Sequence, residues 1–269
     1  MDFLTGLKIS SSALKANRKR MGAISSNIAN AQTVGHKKQD MHTESLFPHA
    51  LQDALSEIAN PEITIGQKKR RYQEFGSAVR LADIDKDFSQ GTLEQTNRPL
   101  DLAIKGEGFF QYRMPEGMVS YSRAGNLYLD SGRNLVGPDG NPLEPPISIP
   151  QDATQVMIND SGQVFVKMRN DPNAQELGQV LIATFPRQKF LRSVGQNMFR
   201  ASEDSGLPQV SVPGTNGAGQ VKQKSLEYSN VNLIEEMMNM LLTERSFQIV
   251  VGSINSIGDL IKASMDVPK

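Results

Sequence analysis

The chain contains no cysteine and no tryptophan among its 269 residues. Without thiols there are no disulfides, no thiolate metal sites and no catalytic cysteine, and the sequence carries no mark of a redox compartment. Phe, Tyr and Trp together make 6% of the residues and hydrophobic residues 38%. That is thin for one large globule, but it suits several small layers or elements that bury surface only against other subunits. Net charge is also missing. Lys plus Arg and Asp plus Glu number 29 each, so no overall field draws in nucleic acid and nothing repels a second copy. No window approaches the run of about 18 apolar residues that a membrane span needs, so none is expected. At the N-terminus, MDFLTGLKISSSALKANRKRM, Lys8 and Ser10–Ser12 interrupt the stretch that a secretory signal would keep apolar. Any export is therefore expected to proceed without a cleaved signal peptide.

The two ends carry helical periodicity. From Asp2 to about Ala31, Leu7, Leu14, Met21 and Ile28 recur every seven residues, and Leu4 and Ile24 fall beside that row. Near the C-terminus Leu233, Met240, Phe247, Ile254 and Ile261 repeat at the same interval, flanked by Met237, Val251 and Met265. Both rows have the narrow form of a coiled-coil seam. Asn27 and Asn30 are expected to cap and turn the end of the first helix, with Gly35 beyond them. Asn230 and Asn232 do the same at the start of the second, where Asn232 and Glu235 have capping-box spacing.

The middle reads as strands. Short apolar runs (100–104, 109–112, 126–129, 156–158, 164–166 and 180–185) are separated by Pro115-Glu116-Gly117, Asp130-Ser131-Gly132, Pro138-Asp139-Gly140 and Asp160-Ser161-Gly162. Each is a hairpin or loop signal, and together they predict an antiparallel sandwich or barrel-like sheet. No alternation of strands with helices supports a doubly wound nucleotide fold. The expected class is α+β: paired, coiled-coil-like terminal helices with a β-rich antiparallel domain inserted between them. The expected division is an N-terminal helix over 1–32, an extended segment over 33–75, a β-rich domain over 76–228 and a C-terminal helix over 229–269. The segment 33–75 holds a weak helical stretch at 51–58 and the basic run Lys68–Arg71, and is expected to order only in an assembly.

Reactive constellations are hard to build from these residues. His36, His42 and His49 are spaced six and seven apart, which gives no compact metal set on one helix, and they read as exposed loop histidines. Gly106-Glu107-Gly108 is a fragment of a dinucleotide fingerprint better explained as a sheet bend beside Phe109 and Phe110. Glu203 and Asp204 fall in a loop without an assignable partner. No catalytic site, cofactor or metal is expected.

A helix of about 30 residues with a two-in-seven apolar stripe does not hold itself up in water. Burying a large apolar side chain contributes about 1.5–3 kcal/mol, whereas ordering each residue costs about 1–2 kcal/mol of backbone entropy. The seams therefore need partners: each other first, then neighbouring subunits. Gly252 and Gly258, unfavourable inside a helix, would permit close backbone approach there.

Four segments carry a specific resemblance. SSNIANAQTVGHKK (25–38), TNRPLDLAIKGEGFFQ (96–111), SRAGNLYLDSGRNLVGPDGNPL (122–143) and LEYSNVNLIEEMMNMLLTERSFQ (226–248) resemble, in order, the motifs of the flagellar rod and hook protein family. Length and PGTNGAGQVKQKSLEYSNVN (213–232) look most like its distal rod branch, whereas the opening segment resembles a proximal rod protein. The family's Gly-Phe-Lys-Arg motif reads with His36 and Lys38 here, and its Arg-Ala-Tyr-Glu stretch reads Arg245-Ser246-Phe247-Gln248. The resemblance implies a non-enzymatic subunit of a hollow helical homopolymer crossing the periplasm. It also implies assembly with other rod and hook proteins and surrounding rings, and passage through the type III export apparatus. A proximal rod or short hook subunit, a cell-wall-binding module using Lys68–Arg71, and a muramidase-like enzyme are the alternatives.

Overall fold

The computed structural model describes residues 3–45, 79–169 and 173–265. Two helices bracket the strands, so the chain is α+β. Helix α1 spans Phe3–Ala29 and α2 spans Leu233–Met265. Helix α2 has Glu235 and Glu236 in its first turn and Lys262 in its last, each charge matching the helix dipole at its end. Neither helix is long and apolar enough to cross a membrane.

Contacts divide the chain into two units. The first holds residues 1–26, 40–84 and 234–269, and the second 27–39 and 85–233. In the first, α1 and α2 are joined by a two-stranded sheet of β1 (Gln39–Ser45) and β2 (Val79–Lys86), whose inner ends belong to the second. Strand β1 lies inside the segment expected to stay unordered until assembly, so the opening of that segment is a correction. Its His42 and Met41 point to opposite faces, one exposed and one buried, as strand alternation requires. His49, the helical stretch at 51–58 and Lys68–Arg71 fall outside the described residues.

The second unit is built on a six-stranded sheet in the order β13-β14-β6-β5-β12-β15. These strands are Arg192–Gly195, Met198–Arg200, Val119–Ser122, Phe109–Arg113, Ile182–Thr184 and Gln209–Ser211. Every neighbour pair in it is antiparallel. Strand β5 is buried on both faces and sorts its side chains by alternation. Phe110 and Tyr112 enter a core with Leu102, Ile104, Leu127, Leu135 and Leu143, while Phe109 enters a second core with Tyr121, Phe185, Leu191 and Phe199. Phe88 closes the second core with edge-on contacts to Phe109 and Phe199 at 5.5 and 5.1 Å between centroids, a favoured aromatic geometry.

Smaller antiparallel ladders surround this sheet: β9 (Ala153–Ile158), β10 (Gln163–Met168) and β11 (Ala174–Gln179) in one, and β4 (Leu102–Lys105) with β16 (Gln220–Gln223) in another. Two more pairs are β3 (Leu93–Gln95) with β17 (Ser225–Glu227) and β7 (Tyr128–Leu129) with β8 (Leu135–Val136). The turn signals read from sequence sit between strands: Gly117, Gly140 and Gly162 adopt positive φ, as does Arg133 just after Gly132. Gly106 and Gly108, at φ +112° and +130°, bend the chain between β4 and β5. There the Gly106 Cα side lies against Gly219, and Gly108 sits against Ile182. No larger residue fits that approach.

Candidate assembly surface and a buried clasp

Helix α2 turns 100° per residue, which separates its apolar residues into two opposite faces. Met240, Phe247, Val250, Ile254 and Ile257 are half-buried on one face, with Glu236 and Thr243 buried among them. The other face exposes Ile234 (75%), Met237, Met238, Leu241, Leu242, Ile249 (71%) and Leu260. Of the seven-residue row, Leu233 is exposed at the helix start and the Ile261 side chain lies outside the described ones. On α1 Leu7, Leu14, Met21 and Ile28 are half-buried, while the most enclosed apolar side chains described are Ala16, Ala23 and Ile24. The two helices meet at a polar contact, Asn17 Nδ2 donating to Ser246 Oγ at 3.1 Å. A cavity of about 210 Å³ beside it is lined by Ala13, Ala16, Arg20, Met41 and Val250. Gly252 and Gly258 have open space where a Cβ would stand.

The second unit contains a cluster that sequence reasoning did not find. Lys37 Nζ lies 2.6 Å from Glu227 Oε1 and donates a second bond to the Ser89 carbonyl at 2.7 Å. Arg123 Nη1 sits 3.2 Å from Glu227 Oε2 and 2.8 Å from the Gly106 carbonyl, with its guanidinium 5.2 Å from the Phe109 ring centre. The Gly91 amide also donates to Glu227 Oε1. All three charged side chains are enclosed. Burial pushes the Lys37 ammonium and the Arg123 guanidinium down from their ordinary values, and Glu227 opposes that in both.

Around this centre the strip 27–39 is pinned by side-chain–backbone bonds. Asn27 is the reverse of a simple helix cap: its Oδ1 accepts the Gln39 amide and its Nδ2 donates to the Gln39 carbonyl, both at 2.9 Å. Asn30 Oδ1 accepts the Thr33 hydroxyl. Asn230 Oδ1 accepts the Lys38 amide, and its Nδ2 reaches the Asp87 carbonyl. Asn232 stands exposed just ahead of α2. The Gly35 amide donates to the Glu227 carbonyl at φ +70°, where a Cβ would come within 2.5 Å of the Ala124 nitrogen. His36 is a correction to the expectation of exposed histidines. It is 4% exposed, because the strip lays it against the β13–β14 turn, where Nδ1 meets Asn197 Oδ1 at 3.2 Å. Glu203 and Asp204 are exposed loop residues, and no group of three His, Asp or Glu side chains among the described residues is arranged to hold a metal ion.

Lys37, Arg123 and Glu227 come from three separate segments, and each lies inside a different match to known protein families. Residues 7–37 match the model described as flagella basal body rod protein, 103–166 the flagellar hook protein FlgE/F/G D1 domain, and 222–267 the flagellar basal body rod FlgEFG protein C-terminal. The chain is thus of the class of subunits that build the flagellar rod and hook. It is 33% identical to the flagellar basal-body rod protein FlgG of Buchnera aphidicola subsp. Schizaphis graminum over 96% of this chain and 98% of that one. The FlgG of Caulobacter vibrioides is 31% identical over 97% and 98%, and that of Bacillus subtilis 34% over 88% and 89%. The chain belongs to the flagellar basal-body rod protein family, as a structural subunit of the distal rod type and not an enzyme.

Proposed function

We propose that the subunit polymerises through its terminal helices into a hollow helical shaft that transmits torque and encloses the export channel. The observation that carries this is the pair of opposite apolar faces on α2. The face holding Met240, Phe247 and Ile254 serves the α1–α2 pairing within a subunit, in which Leu7, Leu14, Met21 and Ile28 take part. The face holding Ile234, Leu241, Leu242 and Ile249 packs on neighbouring copies. An exposed row of this extent on one helix is unfavourable in a lone subunit and characteristic of an assembly surface. The helical parts, 1–32 and 229–269, form the core of the shaft, the β-rich part 76–228 lies outside it, and 33–75 adapts between them.

In this reading the chain works in the periplasm as part of the basal body, adjoining other rod and hook proteins and the surrounding rings. It arrives through the type III export apparatus without losing a signal peptide. Disulfide trapping tests the arrangement: the chain has no cysteine of its own, so single cysteines at Leu241 and Leu242 report only new contacts. Cross-linked ladders in purified basal bodies are expected from cysteines on the exposed face. Their absence there, with ladders from surface positions of the β-rich part, would overturn it.

A further inference from the structure

His36 is placed as a neutral ring that has no way to accept a second proton where it sits. Asn197 Nδ2 donates to the Val34 carbonyl at 3.4 Å, which turns Asn197 Oδ1 toward the ring. Nδ1 must then carry the hydrogen, because an amide oxygen only accepts. The remaining nitrogen, Nε2, is buried and has no hydrogen-bond partner. The charged groups acting on the ring are cations: Lys86 on β2, whose ammonium lies 4.7 Å from the Phe199 ring centre, and Lys37, next in the chain. The buried carboxylate of the clasp, Glu227, is taken up by Lys37 and Arg123. A proton on Nε2 would be a third buried cation beside that cluster, with no acceptor.

The ring sits in the middle of the docked strip. The Gly35 amide is held by the Glu227 carbonyl, Val34 bridges Tyr228, and the Lys38 amide is held by Asn230. Lifting the ring out to water would break these together, because Gly35 and Lys37 flank it.

We infer that His36 is a proton-operated release for the strip 33–39, which stays docked on the β-rich unit at neutral pH and lets go when the ring is protonated. The sign follows from linkage. Burial, opposed by the Asn197 bond and reinforced by Lys86 and Lys37, holds the ring's pKa below its ordinary value of 6.5. The released strip therefore binds a proton more readily than the docked strip. Docking is at full strength above the ordinary histidine range and weakens as pH falls through it, by about tenfold in the opening equilibrium per pH unit while only the released form is protonated.

The test is amide hydrogen exchange on the full chain between pH 7.5 and 5, corrected for the intrinsic pH dependence of exchange. The amides of Gly35, Lys38 and Gln39 are expected to lose protection by about tenfold or more. Those of Phe110 and Tyr121 in the six-stranded sheet are expected to keep theirs. His36→Phe, which keeps an aromatic ring but cannot be protonated, is expected to hold the strip equally at both pH values. Asn197→Asp supplies a second route: a carboxylate facing Nδ1 makes the charged ring acceptable, so the pH dependence is expected to shrink while His36 remains. Unchanged protection of the wild-type strip at pH 5 would overturn the inference. So would the same loss in His36→Phe, which would assign the effect to other groups such as His42.

Discussion

Lys37 and Glu227 stand 190 positions apart in the chain and 2.6 Å apart in space, Nζ to Oε1, with neither side chain reaching solvent. Arg123 shares the same carboxylate, so one buried anion holds two buried cations. A buried ion pair adds little stability over a well-packed apolar substitute, but removing one partner leaves the others uncompensated. Glu227→Gln strands both cations and is expected to cost about 3–5 kcal/mol, read as a lowered denaturation midpoint of the β-rich unit. A loss below about 1 kcal/mol would show that the cations find other acceptors.

Asp139 sets up the opposite case. Its Oδ2 is buried without a hydrogen-bond partner in the turn Pro138-Asp139-Gly140, and burial raises its carboxyl above the usual range. The folded state then favours the protonated form, so the ionised carboxylate is a penalty above the folded pKa that vanishes below the unfolded one. Asp139→Asn keeps a residue suited to the turn and is expected to raise the urea midpoint slightly at pH 7. That gain should fade as the pH falls through the carboxyl range. A variant less stable than wild type at pH 7 would contradict this account.

Gly252 lies in the interior of α2 with nothing within 4 Å of where its Cβ would be. Gly252→Ala should therefore stabilise the isolated helix by about 0.5–1 kcal/mol through lost unfolded-state freedom. If the glycine exists for close approach between copies, the same variant should assemble less well. Thermal melts together with the yield of basal bodies separate the two effects. Unchanged assembly with higher stability would leave Gly252 without a role in packing.

The parts of the fold that sequence revealed are those governed by local rules. Turn signals such as Pro115-Glu116-Gly117 and Asp160-Ser161-Gly162 mark hairpins because they supply positive φ at a glycine, and the seven-residue rows mark α1 and α2. Strands such as β13, β16 and β17 were missed because RSVG, QVKQ and SLE are short and half polar. Their turns also place non-glycine residues, Gln196, Asn197 and Lys224, at positive φ, which no glycine signal marks. The clasp was illegible for another reason. A buried Lys37 is defined by a partner 190 residues away, and no local pattern encodes that distance. Gly35 followed by His36, Lys37 and Lys38 is the one local hint, since a chain at positive φ pressed on a neighbour carries its next side chains inward.

Phe247 lies half-buried on the same face of α2 as Met240 and Ile254, the face proposed to pair with α1. Phe247→Asp puts a carboxylate into that apolar contact, where it must stay unpaired or open the helical unit. Expected are a chain with a normal β-sheet circular dichroism signal, faster amide exchange in α1 and α2, and non-motile cells. Ser246 is not a neutral comparison, because its hydroxyl accepts the bond from Asn17. Exposed Asn255 serves instead, and Asn255→Asp is expected to be mild. Equal harm from the two would remove Phe247 from the account.

The outer face of α2 gives the most direct test, because the structure assigns it nothing to do in a lone subunit. Leu242 is 61% and Ile249 71% exposed. Replacing both with glutamate removes no buried contact, so the isolated chain should unfold within about 0.5 kcal/mol of wild type. In an assembly the same two carboxylates would have to be buried between copies. The decisive measurement is the amount of the Leu242→Glu/Ile249→Glu chain in purified basal bodies, taken alongside its stability in solution. Polymerisation through this face predicts a stable chain absent from basal bodies, and incorporation at the wild-type level would contradict it.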